Sequence, residues 1–579
     1  MTTPDVTALD VTTSFARTLV DEWARAGVTH AVVSPGSRNT PLTLALERDE
    51  RITVDVVLDE RSAGFRALGA GLARGRPAVV CCTSGTAAVN LHPAVVEAHH
   101  ARVPLVVCTA DRPPELHDVG AGQTIEQQHL FGRVVRWFHD PGPPELTPDA
   151  DARWRTVAGR AIAAAIGPPA GPVHVNLPFR EPLVPTGAPL VDAPGRADGA
   201  PWLPIEHAPT VPAAAATIDR IADLVRARPR GLLVAGFGAC VHPETAARLA
   251  AATGWPILAD PLSGLRTGEH AVSTYDALLR CDPFAAAQRP EIVLRVGAPL
   301  TSKVASAWLD GAGAPTVLID PDDVWLDPQR TATDRVVAGA DATVNALVDV
   351  LGDKAPADDA WTLTWRAAER VARRALDSVL DEDVACDARI ARDVAASLPE
   401  GGGLVVASSL PVRALEWSMA PRADVSCFAN RGANGIDGFV STAVGIARAR
   451  VQPNAPTVAL SGDLCFLHDT NGLLGVGSET NLPLTFVVID NDGGAIFSYL
   501  PQHGLAEFER LFATPPGVDL VAVARAHGVA AERVTRVGDL TGLLAARTDT
   551  VRVLVVDAPR DHAADQHRRC WDAVATALS

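Results

Sequence analysis

The sequence predicts an α/β protein of three domains, each with a mostly parallel sheet. Three observations carry that expectation. The chain has 579 residues, and at roughly 150 residues per domain that allows three or four. Short, uninterrupted apolar runs alternate with helical patterns, as they do where the strands of a parallel sheet are buried on both faces. Two stretches of weak periodicity, 182–212 and 352–361, divide the chain into blocks 1–185, 213–352 and 362–579.

The first block opens with a helical pattern over Thr12–Ala26 and a strand over Val28–Val33. A turn at Pro35-Gly36, a second helix and a strand over Ile52–Leu58 follow. A helix over Ser62–Ala73 then leads to strands at Ala78–Cys82 and Leu105–Thr109. The middle block repeats the alternation, with strands at Gly231–Ala235, Ile292–Val296 and Thr316–Ile319. Residues 213–228 form an amphipathic Ala/Arg helix. The last block begins with helices near 362–380 and 384–398. Its strands are Leu404–Ala407, Thr457–Leu460, Leu484–Ile489 and Val551–Val556.

Composition narrows the function. Apolar residues make up 47% and charged residues 21%, which excludes a disordered chain. A net charge of −17 argues against a nucleic-acid partner or an anionic membrane, since both usually select a basic face. Lys303 and Lys354 are the only lysines among 51 basic residues, and the arginine excess reads first as the mark of a GC-rich genome. Nine cysteines with no C-x-x-C pair fit a reducing compartment. Residues 1–10 show no secretory leader, and no apolar run nears the roughly 20 residues of a membrane span. A cytoplasmic protein is expected.

The sharpest local feature is Ser461-Gly462-Asp463, followed by Asn491-Asp492-Gly493-Gly494. Each follows a predicted strand, at the carboxyl edge where open α/β sheets bind ligands. Asp463 and Asn491 are 28 residues apart, room for one helix between neighbouring strands. A carboxylate and an amide oxygen are hard ligands suited to Mg²⁺, with diphosphate oxygens completing the shell. Gly462 lets the backbone approach the phosphates. The plainer alternative is an ordinary strand-end Asp and a turn Asn. Glu60, after the strand Ile52–Leu58, could likewise be a residue that favours a helix N-terminus. Gly236-Phe-Gly238-Ala-Cys-Val241 lacks the third glycine of a dinucleotide fingerprint and is discounted. The sixteen histidines show no zinc spacing.

The Asp463/Asn491 spacing resembles the metal–diphosphate motif of thiamine-diphosphate enzymes, with Leu464 and Asp490 as departures from it. Four further segments narrow the resemblance: Ser34-Pro-Gly-Ser-Arg-Asn-Thr-Pro-Leu42, Thr109-Ala-Asp-Arg-Pro-Pro-Glu-Leu116, Asn430-Arg-Gly-Ala-Asn-Gly-Ile-Asp-Gly438 and Asn491-Asp-Gly-Gly-Ala-Ile-Phe-Ser498. Together they resemble the 2-succinyl-5-enolpyruvyl-6-hydroxy-3-cyclohexene-1-carboxylate synthases of menaquinone biosynthesis. In that branch Leu464 is no longer a departure.

The resemblance implies a three-domain thiamine-diphosphate fold and a transferase. Its reaction decarboxylates 2-oxoglutarate and adds the remainder to isochorismate. It implies thiamine diphosphate with Mg²⁺, Mn²⁺ being a possible substitute. Asp463, Asn491 and the Gly493 carbonyl become the metal ligands, and Glu60 the proton-sharing partner of the aminopyrimidine ring. Ser409, Leu410, Gly462, Leu464, Ile436 (as an apolar wedge) and Ile496 fall at the cofactor. Ser37, Arg38, Arg112, Gln123, Arg413, Arg431, Ile496 and Phe497 fall at the substrates, with Arg413 and Arg431 nearest the chemistry. Arginine suits two dianionic substrates because its planar fork binds a carboxylate bidentately. Gly122 stands where some relatives have Asn. A homo-oligomer is implied, at least a dimer and more often a tetramer. Two other readings are set against it. An acetohydroxyacid-synthase-like carboligase would have little need of several carboxylate anchors, and a non-catalytic phosphate-binding protein would have no need of Glu60.

Overall fold

The structure is a computed structural model that describes residues 9–204, 211–352, 358–450 and 455–579. Parts of both expected linkers, 205–210 and 353–357, lie outside the described residues. Among the described residues, eighteen strands form three six-stranded sheets, and every pairing between named strands is parallel.

The first sheet holds β1 (His30–Val33), β2 (Thr53–Val56), β3 (Ala78–Cys82), β4 (Leu105–Asp111), β5 (Trp137–His139) and β6 (Pro172–Pro178), in the order β2-β1-β3-β4-β6-β5. The second holds β7 (Gly231–Ala235), β8 (Ile257–Ala259), β9 (Ala271–Val272), β10 (Ile292–Val296), β11 (Thr316–Ile319) and β12 (Asp334–Val336), in the order β12-β11-β10-β7-β8-β9. The third holds β13 (Gly403–Val406), β14 (Ser426–Phe428), β15 (Thr457–Gly462), β16 (Leu484–Asp490), β17 (Ala530–Val534) and β18 (Arg552–Asp557), in the order β14-β13-β15-β16-β18-β17. The first and third sheets therefore share one strand order. The second has the doubly wound dinucleotide-fold order. In the third sheet the order reverses between β13 and β15, and ligands of such sheets sit outside the strand ends at that switch.

The central strands β3, β4, β7, β10 and β11 are buried along their whole length, as mainly apolar sequence favours, although β4 includes Thr109 and Asp111, β10 includes Arg295 and β11 begins with Thr316. Gly236 ends this pattern in the second sheet. A side chain there would strike the carbonyl of Ala298, so this glycine serves close backbone approach. Among the described residues, no disulfide joins the cysteines, and no helix is long and apolar enough to cross a membrane.

The chain divides into two compact units. One holds Met1–His207, Asn430–Pro453 and His468–Gly475; the other holds Ala208–Ala429, Asn454–Leu467 and Val476–Ser579. The helix Phe439–Ala449 thus belongs with the N-terminal residues, where it packs on the helix Glu60–Arg74. Glycines allow that contact. A Cβ on Gly69 would lie 2.2 Å from the Thr442 carbonyl, and one on Gly445 would lie 2.0 Å from the Arg66 carbonyl.

One boundary differs from the sequence reading in a way that matters for the site. The strand expected over Ile52–Leu58 ends at Val56, and Leu58 is 69% exposed. The following helix begins at Glu60 and not at Ser62. Asp59 caps it, accepting from the Arg61 N–H at 2.9 Å and the Ser62 N–H at 3.4 Å. Glu60 is therefore the first helical residue.

Candidate active site

In the unit that carries the third sheet, three strand-end loops converge. β15 and β16 are direct neighbours, with Gly462 opposite Ile489, so the residues that follow them are adjacent. Gly462 closes β15, and no protein atom lies within 4 Å of where its Cβ would be. Asp463 is 1% exposed. Its carboxylate accepts from the Leu464 N–H at 2.6 Å and the Gly493 N–H at 2.7 Å. Burial pushes this carboxyl up to about 6, against those two amide bonds. Asn491 is buried, and its Oδ1 has no hydrogen-bond partner. An orphaned amide oxygen is costly unless something absent from the chain satisfies it. A buried carboxylate, that bare oxygen and the open space at Gly462 fit a cation with a diphosphate.

Gly493 adopts φ 119°, and a Cβ there would lie 2.0 Å from the Ala513 carbonyl. Its N–H is spent on Asp463. Leu464 is half-buried. Ile496 and Phe497 are half-buried in the short helix Ala495–Tyr499, and Phe497 tilts against Phe512 with ring centroids 5.8 Å apart. Ser409 follows β13 at the switch point, with φ 75° and ψ −129°. That is strained backbone for a residue with a side chain, costing about 1–3 kcal/mol, and such strain clusters at functional sites. It opens the helix Leu410–Ser418. Leu410 is buried, and the Arg413 guanidinium one turn on donates to the Ser409 carbonyl.

The far end of this helix is fixed to the second sheet's loops. Arg266 donates from Nη1 to the carbonyls of Glu416 and Met419, both at 3.0 Å. The Glu416 Oε1 accepts from the Tyr275 hydroxyl at 2.5 Å and the Ser302 N–H at 2.9 Å. Its Oε2 is buried without a partner.

In the N-terminal unit the carboxyl ends of β1, β3 and β4 bring two arginines together. Arg38 is 8% exposed and donates to the Phe179 carbonyl at 2.8 Å; Glu181 lies 3.5 Å from it. Arg112 follows β4 and donates from Nη1 to the Ser84 hydroxyl at 2.7 Å. Burial, and then the Arg112 charge, pull Arg38 below the usual guanidinium range. Two such cations close enough to repel one another are suited to an anion. Ser37 and Gln123 are exposed on neighbouring loops, Gln123 with φ 56°. Glu60 is half-buried at its helix start. Around it, Ser62 donates to the buried Asp469 at 2.9 Å and Asn471 donates to Asp59 at 2.8 Å. Arg431 and Ile436 are half-buried in the loop ahead of the helix Phe439–Ala449.

Several residues here carried no sequence signal. Asp387, the first residue of the helix Asp387–Ser397, is fully buried with neither carboxylate oxygen hydrogen-bonded. Burial, with the nearby Asp463 charge adding to it, pushes its carboxyl up to about 7. Asp469 and Glu97 are likewise buried carboxylates with partners far off in the chain, Ser62 and Ser441 for Asp469 and Gly432 and Ala433 for Glu97. Only the fold reveals them.

The chain is similar to known proteins along its length. The family pattern described as thiamine pyrophosphate enzyme, N-terminal TPP binding domain, matches residues 13–130. The middle domain pattern of thiamine pyrophosphate enzymes matches 197–406, and the C-terminal TPP binding domain matches 420–558. A Thermobifida fusca protein named 2-succinyl-5-enolpyruvyl-6-hydroxy-3-cyclohexene-1-carboxylate synthase is 44% identical, covering 98% of this chain and 100% of its own. Proteins of the same name from Myxococcus xanthus and Halobacterium salinarum are 42% and 40% identical. Each alignment covers 97% of this chain, and 97% and 98% of those proteins.

Proposed function

We infer the reaction from family membership: the chain belongs to the thiamine-diphosphate-dependent 2-succinyl-5-enolpyruvyl-6-hydroxy-3-cyclohexene-1-carboxylate synthases. It is a transferase of menaquinone biosynthesis that takes 2-oxoglutarate and isochorismate and releases CO₂. Thiamine diphosphate, when bound, supplies the carbanion chemistry by which a 2-oxoacid loses CO₂ and its remainder adds to an alkene. The observation that best supports this in the geometry is the pairing of buried Asp463 with the unpartnered Asn491 Oδ1 at adjacent strand ends.

Each residue then has a task. Asp463, Asn491 and the Gly493 carbonyl would hold Mg²⁺, with Mn²⁺ as an alternative. Ser409, Leu410, Gly462 and Leu464 would border the diphosphate. Ile436 would serve as an apolar wedge for the cofactor, and Ile496 would also contact it. Glu60 would hold a proton at the aminopyrimidine ring. Arg38, Arg112, Arg413 and Arg431 would bind and orient substrate carboxylates, with Ser37 and Gln123 donating beside them. Ile496 and Phe497 would exclude water. We place the domains at 1–185, 213–352 and 362–579, and the protein in the cytoplasm as a homodimer or tetramer.

The test mixes protein, Mg²⁺, thiamine diphosphate, 2-oxoglutarate and isochorismate and follows isochorismate absorbance. The absorbance should fall only when all components are present. Loss of 2-oxoglutarate with no loss of isochorismate would reject the assignment.

A further inference from the structure

Glu97 lies on the helix His92–Ala101 and is 3% exposed. Its two carboxylate oxygens are divided between successive backbone amides. Oε1 accepts from the Gly432 N–H at 2.6 Å and Oε2 accepts from the Ala433 N–H at 2.7 Å. Consecutive amides converging on one anion form a rigid, charge-assisted grip. These amides immediately follow Arg431 and precede Ile436.

The loop is also pressed onto the same helix. A Cβ on Gly432 would lie 2.5 Å from the Ala101 nitrogen and 2.5 Å from the Glu97 carbonyl. Its ends are fixed as well. Asn430 donates to the Thr442 hydroxyl at 3.2 Å, and Gly438, at φ 65°, is so close to Phe65 that a Cβ there would lie 1.9 Å from its ring. Burial raises the Glu97 carboxyl above its usual range, with Asp437 adding to this; the two amides, and then Arg431, pull the other way. A buried charge is a costly way to fill space that an apolar side chain of similar size could fill. The charge at position 97 is therefore used for what it grips.

We propose that Glu97 is a positioning residue: it holds the 431–436 loop in the one conformation that presents Arg431 to a substrate carboxylate. The proposal rests on the synthase reading for the substrate, and on hydrogen-bond geometry alone for the grip.

Two measurements separate these. Glu97→Gln keeps the side chain's size but turns an amide N–H toward a backbone N–H. In the protein without cofactor, hydrogen exchange over residues 430–437 should speed up by about tenfold or more, as loss of a charge-assisted bond implies. Exchange in the helix 92–101 and the melting temperature should stay near wild type. In turnover, kcat/KM for isochorismate should fall by at least about tenfold. The double variant Glu97→Gln/Arg431→Ala should be no worse than Arg431→Ala alone, because both changes remove the same interaction. Gly432→Ala, which drives a methyl against the helix backbone and to 3.0 Å from the Glu97 Oε1, lifts the loop off its grip; it should show the same non-additivity and serves if Glu97→Gln does not fold. Unchanged loop exchange, or losses that multiply in the double variant, would overturn the proposal. A wild-type enzyme that leaves isochorismate untouched would instead overturn the reaction and leave the exchange result standing.

Discussion

Glu416→Gln removes one ionisable proton from the end of the helix that carries Ser409 and Arg413. Burial, with the charge of Asp260 adding to it, pushes this carboxyl from its ordinary 4.5 up to about 8; its bond from Tyr275 pulls the other way. The native protein therefore keeps the Glu416 proton up to about pH 8, whereas the unfolded chain releases it above 4.5. Between those values the unfolded state binds fewer protons, so stability falls as pH rises. The contribution is complete below 4.5 and gone above about 8. At ~1.4 kcal/mol per pH unit, the whole window is worth roughly 5 kcal/mol. Glutamine keeps an acceptor for Tyr275 and Ser302 and cannot titrate. Thermal midpoints of both proteins at pH 5, 6, 7 and 8 read the difference, and other titrating groups cancel in it. The variant should gain on wild type steadily from pH 5 to 8. A gap that stays flat over that range would refute a protonated Glu416, whatever the gap's size.

Other outcomes follow from the same geometry. Glu60→Gln should reduce turnover by several orders of magnitude while cofactor affinity, read by fluorescence titration, changes little; wild-type turnover would remove Glu60 from proton transfer. Asp463→Ala should abolish Mg²⁺-dependent thiamine diphosphate binding in calorimetry, and an unaltered isotherm would refute the metal site. Gly69→Ala drives a methyl into the Thr442 carbonyl. It should destabilise the N-terminal unit by about 1–3 kcal/mol, and an unchanged denaturation midpoint would show that the two helices separate freely.

What the sequence revealed follows from how each element is buried. β3, β4, β7 and β10 are central; the unbroken apolar runs of β3 and β7, and the mainly apolar runs of β4 and β10, read directly as strands. β5, β14 and β17 lie at sheet edges with half-exposed or exposed residues, so no apolar run marks them. β6 is buried throughout but has proline at both ends and carries His174 and Asn176, which bond to Thr109 on the next strand. The Thr109 bonds to these two side chains form only once the sheet exists. The Asp463 and Asn491 pair was legible because both follow clear strands at a fixed separation. Glu97, Asp387 and Glu416 were not, because each takes its character from distant residues: Glu97 from Gly432 and Ala433, Asp387 from burial near Asp463, and Glu416 from Tyr275 and Ser302.

The helix Phe439–Ala449 packs on Glu60–Arg74, though it is made much later. On the ribosome, the glycine-notched face around Gly69 waits uncovered until residue 449 has emerged. At ~5–20 residues per second, that delay is about 20–75 s. Throughout it, Phe65, which is buried in the finished protein, has neither Gly438 nor the late helix over it. The N-terminal third cannot reach its final fold as a nascent domain. It must be kept from aggregating until nearly four-fifths of the chain exists, and a truncation before residue 439 should behave as a client of chaperones.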